Sequence, residues 1–245
     1  MVKGIFGIDL QRKAGVRMRV IADRAQLLAF MSRFEDWGTP NIMIQEFIPG
    51  DADASWMFNG YFDAESRCLL SFTGYKIRQH PAYTGLTSLG QCVANDTVAH
   101  ITCQFMHACR YRGILDMDYR FDARDGRYKA VDINPRVGAT FRLFLSGNGM
   151  DVVRALYLDL TGQQVEMAPM KEGRKWLVED CDLLSSIRYW RDGQLTLSSW
   201  LHQNGGIEEL GIFATDDPLP AFWMGLRNVR SLLGISPYVP TRARE

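Results

Sequence analysis

Apolar and polar residues alternate with a period of two in several stretches of the first 136 residues, and this alternation predicts β-strands. Turn residues separate the stretches. Residues 63–66 join two runs and predict one hairpin, while residues 122–126 predict a second hairpin. The predicted strands are residues 16–21, 42–48, 55–62, 68–75, 113–121 and 131–136.

Apolar residues at helical spacing predict the helices. Asp23 is a candidate N-cap for a helix ending near Gly38, and residues 216–218 (Asp-Asp-Pro) form a helix-entry signal. Together with the strands, these helices predict an α+β fold. The further predicted helices are residues 96–112, 141–145, 151–160, 182–191, 197–203 and 219–233.

A change of composition near residues 163–173 predicts a boundary inside the chain. We expect a first domain over residues 1–162, which holds the predicted strands. Residues 163–245 are expected to form a mainly helical C-terminal extension, in which several of the six tryptophans lie. Core or interface packing is the default role for those tryptophans.

The polar segment 76–85 predicts a loop, because it is basic and contains Pro81 and Gly85. Lys76 and Arg78 are spaced by two, so in an extended segment both would point to one side and suit an anionic substrate. A solvated charged loop explains the pattern equally well. His80 beside a proline is more often incidental than a catalytic base.

Composition limits the classes of function. The 245 residues contain 28 Lys and Arg against 28 Asp and Glu, so neither a nucleic-acid nor an anionic-membrane partner is indicated. Five scattered cysteines lack CxxC spacing and predict reduced thiols in a cytoplasmic protein. The sequence contains no P-loop, no Rossmann glycine string and no G-x-S-x-G motif.

Residues 131–136 (Val-Asp-Ile-Asn-Pro-Arg) carry the candidate chemistry. Asp132, Asn134 and Arg136 are spaced by two and would share one face of a strand. The hairpin would pair this strand with the run that contains Asp118. Carboxylate and amide oxygens suit Mg²⁺, and a guanidinium suits phosphate oxygens. For the short string alone, a solvated strand near a turn is an equally good explanation.

The ordered combination resembles the ATP-grasp family, of the carboxylate–amine ligase type. Its elements are a strand with a lysine, a hinge-like run at residues 44–50, a hairpin, a basic segment, a helix and two acidic strands. The resemblance covers roughly residues 1–160. It implies the ATP-grasp fold, an antiparallel sheet with flanking helices, and a chain that lacks the N-terminal part of that domain.

The resemblance also assigns roles to residues. It implies that Asp118, Asp132 and Asn134 bind Mg²⁺ or Mn²⁺, and that Arg136 contacts phosphate or the acyl-phosphate. It places Lys76 and Arg78 over the phosphates and the acceptor carboxylate. The implied nucleotide contacts are Lys3, with Lys13 as the alternative, and the hinge residues Gln45, Glu46, Phe47 and Ile48. The implied ribose contact is Asp53 or Asp51, although both acids also fit as solvated turn residues.

The implied reaction uses ATP to convert a small-molecule carboxylate into an acyl phosphate, which an amine, or a thiol, then attacks. A homo-oligomer or a partner chain would supply the missing half of the site. Two alternatives stay open at this point: a non-catalytic ATP-binding module, and a scaffold protein whose tryptophan-rich C-terminal part is the interacting surface.

Overall fold

The computed structural model describes residues 1–232 of the chain. These residues form two compact units, one from Met1 to Pro49 and one that begins at Gly50. The predicted helix over residues 219–233 and the predicted extension reach beyond residue 232, so their last residues lie outside the described part. No helix within residues 1–232 is long and apolar enough to cross a bilayer.

The first unit is a small three-stranded antiparallel sheet with two helices. Its central strand β1 pairs with β2 on one side and β3 on the other. Val2, Leu10 and Phe30 form its buried core. The elements are β1 (Val2–Gly4), α1 (Gly7–Ala14), β2 (Met18–Arg19), α2 (Arg24–Phe34) and β3 (Ile42–Ile44).

Sequence patterns predicted this unit in part. Asp23 is the N-cap of α2, and its carboxylate accepts a hydrogen bond from the backbone N–H of Gln26 at 2.8 Å, as predicted. The strand predicted over residues 42–48 is too long, because β3 pairs only with the three-residue β1. The apolar residues of this run predict a buried strand, but Ile44 of β3 is 56% exposed, so that prediction is wrong.

The second unit is built on a seven-stranded sheet in the order β10-β9-β6-β5-β4-β7-β8. All neighbouring strands are antiparallel except the parallel pair β9 and β10. The strands are β4 (Ser55–Phe62), β5 (Cys68–His80), β6 (Leu86–Cys92), β7 (Gly113–Asp122), β8 (Arg127–Asn134), β9 (Lys175–Leu177) and β10 (Ile207–Leu210).

Helices cover both faces of this sheet because β4 is apolar on both sides. Phe58 and Phe62 pack with Val98 of α3 (Asp96–Ala108) on one face. Met57 and Tyr61 point to the other face, where the 3₁₀ helix Ala139–Leu143 and α4 (Val152–Leu160) complete the core. The predicted α+β class, an antiparallel sheet with flanking helices, is therefore confirmed.

The segment after residue 162 contributes both helices and strands. Its helices are α5 (Glu179–Arg191), α6 (Leu197–Asn204) and α7 (Leu219–Leu232). Its strands β9 and β10 extend the main sheet, since β9 pairs with β6. The domain boundary after residue 162 stays a prediction, but the residues on its two sides share one sheet.

The loop predicted over residues 76–85 is wrong. β5 continues to His80, and only a short turn leads to β6 at Leu86. The segment is polar, yet Lys76, Arg78 and Gln79 are all buried. Lys76 and Arg78 find charged partners in neighbouring elements, and the Gln79 side-chain nitrogen donates to the Gly85 carbonyl at 2.9 Å. A run that looks solvent-exposed by hydropathy therefore forms an interior strand.

Candidate functional site: an acidic face on strands β7 and β8

The β7–β8 hairpin brings the predicted metal residues together. Asp118 lies directly opposite Asp132, and Asp116 lies opposite Asn134. Since side chains alternate along a strand, all four point to one face of the sheet. The turn is closed by a hydrogen bond from the Gly126 N–H to the Asp122 carbonyl at 2.8 Å. The pairing of Asp118 with Asp132 that the hairpin predicted is confirmed.

Lys76 is the buried cation of this face. Its ammonium group contacts the Asp118 carboxylate at 2.8 Å, and the lysine side chain is 6% exposed while that of Asp118 is 27% exposed. Strand β4 lies between β5 and β7, so the lysine side chain extends across β4 to reach its partner. The ion pair therefore holds Asp118 at the border between the protein interior and solvent.

A hydrogen-bonded chain follows the outer strand. Arg136 donates to the Asn134 side-chain oxygen at 3.0 Å, and Asn134 donates to the Asp132 carboxylate at 2.8 Å. These contacts are solvent-exposed, in contrast to that of Lys76. The guanidinium thus lies beside the acidic face, next to the residues that the sequence grouped with it.

Asp116 is a member of the face that the sequence interpretation left without a role. It accepts a hydrogen bond from Asn59 at 2.8 Å. Burial, and then the charge of Asp118, raise the pKa of Asp116 to about 6, although Asn59, Lys76 and Arg136 oppose the shift. Its position two residues before Asp118 was the available signal, because the two must share a face of β7.

Gly138 leaves the space that Asp116 occupies. A Cβ atom at residue 138 would lie 2.0 Å from a carboxylate oxygen of Asp116, closer than any allowed contact. Asn59 holds that carboxylate, so it cannot move aside freely. The glycine shortly after Arg136 is therefore a requirement of the site's packing, and not only of chain flexibility.

The donor set fits a Mg²⁺ ion that phosphate oxygens and water also coordinate. Asp118 and Asp132 would supply carboxylate oxygens, and Asn134 would supply an amide oxygen, which are the hard ligands that Mg²⁺ takes. Among the described residues, no group of three His, Cys, Asp or Glu side chains forms a complete metal centre. A Mg²⁺ ion that is bound by two carboxylates and by phosphate oxygens does not require a third side chain of this kind.

Arg78 has a different environment from Lys76. Its guanidinium forms a bidentate ion pair with Asp182 of α5, with both N–O distances 2.8 Å. It also donates to the side chains of Gln203 and Asn204 at the end of α6. With the side chain 2% exposed, these contacts tie β5 to two helices. The substrate-binding role of Arg78 stays a prediction, and its donors are engaged inside the protein.

The predicted nucleotide residues lie in the first unit, with the exception of the ribose candidates. Lys3 is in β1 opposite Met43 of β3, and the alternative Lys13 is exposed on α1. The hinge residues follow β3, where the Gln45 backbone exchanges two 2.9 Å hydrogen bonds with Met1. Glu46 is exposed, Phe47 is 40% exposed and Ile48 is buried. Their roles stay predictions.

The ribose candidates Asp51 and Asp53 both line a cavity of about 380 Å³. Tyr75 lines the same cavity, and it precedes Lys76 in β5. Because neighbouring side chains on a strand point to opposite faces, this cavity and the acidic face lie on opposite sides of the sheet. The structure thus separates Asp53 from Asp118, and the ribose role stays a prediction.

Part of this chain is similar in sequence to a known ligase. The D-aspartate ligase of Enterococcus faecium (strain Aus0004) is 27% identical over 153 residues, which is 60% of this chain and 35% of the relative. The predicted resemblance to ATP-grasp carboxylate–amine ligases is confirmed over part of the chain. No family model matches the sequence.

Solved structures overlap with the chain more loosely. Rhizobium etli pyruvate carboxylase T882A with acetyl coenzyme A gives a TM-score of 0.46 at 17% identity, covering 69% of this chain and 15% of that one. The phosphoribosylaminoimidazole carboxylase ATPase subunit from Aquifex aeolicus gives 0.45 at 15% identity, covering 70% and 46%. The chain spans well under two thirds of each of these proteins.

Proposed function

We propose that the acidic face belongs to an ATP- and Mg²⁺-dependent ligase that joins a carboxylate to an amine, or that this chain is a portion of such an enzyme. The register of the β7–β8 hairpin carries the proposal, since it sets Asp118 opposite Asp132 with Asn134 on the same face. The similarity to a D-aspartate ligase supports the same class of reaction.

The proposal assigns roles to three residues of the face and to two cations beside it. When bound, Mg²⁺ would neutralise charge on the phosphate oxygens, and Asp118, Asp132 and Asn134 would hold it. Arg136 is exposed, so its fork can bind an oxygen of the transferring phosphoryl group or of the acyl phosphate. Lys76 holds Asp118 in place from the interior side.

The metal role can be tested by binding. We expect Asp132→Asn to weaken Mg·ATP binding by at least tenfold in isothermal titration calorimetry, since one carboxylate ligand becomes an amide. Asp96→Asn is the matched control, because Asp96 is an exposed acid at the start of α3 on the other side of the sheet. Unchanged affinity in Asp132→Asn would show that the metal assignment is wrong.

Turnover is a separate measurement. Phosphate release from ATP should require Mg²⁺ together with a carboxylate and an amine, and D-aspartate is the first compound to include because the curated relative is named for it. Binding of Mg·ATP without phosphate release under any pairing would favour a non-catalytic nucleotide-binding module. Absence of any ATP-dependent thermal shift would favour a scaffold role.

A further inference from the structure

The cavity on the other side of the sheet has a floor built from three neighbouring strands. Tyr75 of β5 pairs with Gln91 of β6, and Gln91 pairs with Lys175 of β9, so the three side chains form a row across the sheet. The Tyr75 hydroxyl donates to the Gln91 side chain at 2.9 Å. Neighbouring strands lie about 4.8 Å apart, which makes the row about 10 Å long.

The negative charges lie at the Tyr75 end of this row. Asp51 and Asp53 are exposed residues beside the 3₁₀ helix before β4, and both line the cavity. Burial, followed by the charge of Asp53, raises the pKa of Tyr75, so this carboxylate lies near the floor. Arg120 interacts electrostatically with both carboxylates, and one positive charge beside two negative charges leaves this end of the row net negative.

A positive charge lies at the other end. Lys175 donates from its ammonium group to the backbone carbonyls of Gln203 and Gly205, at 3.0 and 2.7 Å. An ammonium group has three donors, so one remains for a ligand. Carbonyl groups carry no net charge, so these two contacts do not neutralise the ammonium group of Lys175. Arg78 adds no free charge, since Asp182 neutralises it.

We propose that this cavity binds a small zwitterion whose ammonium and carboxylate groups are several bonds apart, that is, an amino acid of the ω-amino type. Asp51 and Asp53 bind the ammonium group, Lys175 binds the carboxylate, and Tyr75 and Gln91 lie under the chain between them. The volume of about 380 Å³ is within the range of small-molecule sites.

A nucleoside is a poorer match for the same cavity. The ribose hydroxyl groups would use Asp53, but they would leave the ammonium group of Lys175 without an anionic partner. A zwitterion satisfies both ends at once. The proposal concerns binding on the face opposite Asp118, so it is independent of the proposed ligase activity and is tested without ATP or Mg²⁺.

The test uses 6-aminohexanoate with its two half-ligands, hexylamine and hexanoate, and the full chain in calorimetric titrations. We expect 6-aminohexanoate to bind at least tenfold more tightly than either half-ligand, because only it engages both ends. Asp53→Asn should weaken 6-aminohexanoate and hexylamine about tenfold and leave hexanoate unchanged, since a charged contact is lost at one end.

A second variant addresses the other end. Lys175→Gln should weaken 6-aminohexanoate and hexanoate but not hexylamine, and Glu166→Gln, an exposed acid outside the cavity, should change none of the affinities. Equal binding of 6-aminohexanoate and its half-ligands would overturn the proposal. So would displacement of 6-aminohexanoate by adenosine with a dependence on Asp53 but not on Lys175.

Discussion

Two buried cations on β5, only two residues apart, are held in different ways. Lys76 meets one carboxylate, and that carboxylate is partly open to solvent. Arg78 meets Asp182 through two parallel buried hydrogen bonds, and it meets two further side chains from α6 in partly buried contacts. The first cation borders the acidic face, whereas the second lines the cavity on the other side of the sheet and connects three elements of the fold.

The difference shows that the surroundings of a buried cation determine whether it can bind a ligand. A guanidinium whose donors are used inside the protein has little capacity left for a ligand, and its removal leaves buried acceptors without partners. A lysine paired with a partly exposed carboxylate can lose that contact when a cation binds the carboxylate or an anion binds the lysine. The sequence pattern predicts one role for the two residues, because both are basic and they are spaced by two.

The largest effect should come from Arg78→Met. It leaves the Asp182 carboxylate, which is 4% exposed, without its cation, and breaking a buried ion pair from one side costs about 3–5 kcal/mol. We expect that loss in the free energy of unfolding by urea denaturation. Arg78→Lys keeps the charge but not the fork, so its loss should be smaller. A loss below about 1 kcal/mol in Arg78→Met would contradict the structural role.

Strand β5 also shows which parts of the fold the sequence could predict. The alternating run 55–62 matches β4 at both ends, because apolar residues there face two cores. Residues 76–80 were missed, since the partners that allow Arg78 to be buried, Asp182 and Gln203, are more than 100 positions away. No local pattern contains that information. The strands β9 and β10 were missed for the same reason, as short strands added to an existing sheet edge.

A change at Asp116 should have the next largest effect on the free energy of unfolding, and this effect depends on pH. Its pKa is about 6 in the folded chain against an ordinary value of 3.8, so between these values the folded state binds more protons than the unfolded state. Stability from this group is present below about pH 4 and is lost as the pH rises through 6. The loss amounts to at most about 3 kcal/mol.

Asp116→Asn removes the titrating group and keeps an oxygen for Asn59. We expect the variant to gain up to about 3 kcal/mol over the original chain at pH 7.5, and little at pH 4. Urea denaturation at several pH values, with a chelator present to remove divalent cations, measures the difference. A difference that is constant from pH 4 to pH 7.5 would show that Asp116 titrates normally.

Only local spacing and one hairpin in the sequence predicted which residues of the site lie together. Asp132, Asn134 and Arg136 share a face because they alternate, and the turn at residues 122–126 sets their register with Asp118. The partners of Asp116 come from β4 and from Gly138, and the partner of Asp118 comes from β5. Those contacts depend on the order of strands in the sheet, which alternation does not encode.

Lys76→Met should give the smallest effect and completes the comparison. Asp118 is 27% exposed, so water can solvate its carboxylate when the ammonium group is removed, and the methionine retains most of the apolar packing across β4. We expect a loss of about 1 kcal/mol in the free energy of unfolding. The same urea denaturation measures it beside Arg78→Met. If the two losses in the free energy of unfolding are equal, Lys76 has the same structural role as Arg78. The ion pair of Lys76 with Asp118 would then not be available for exchange with a ligand.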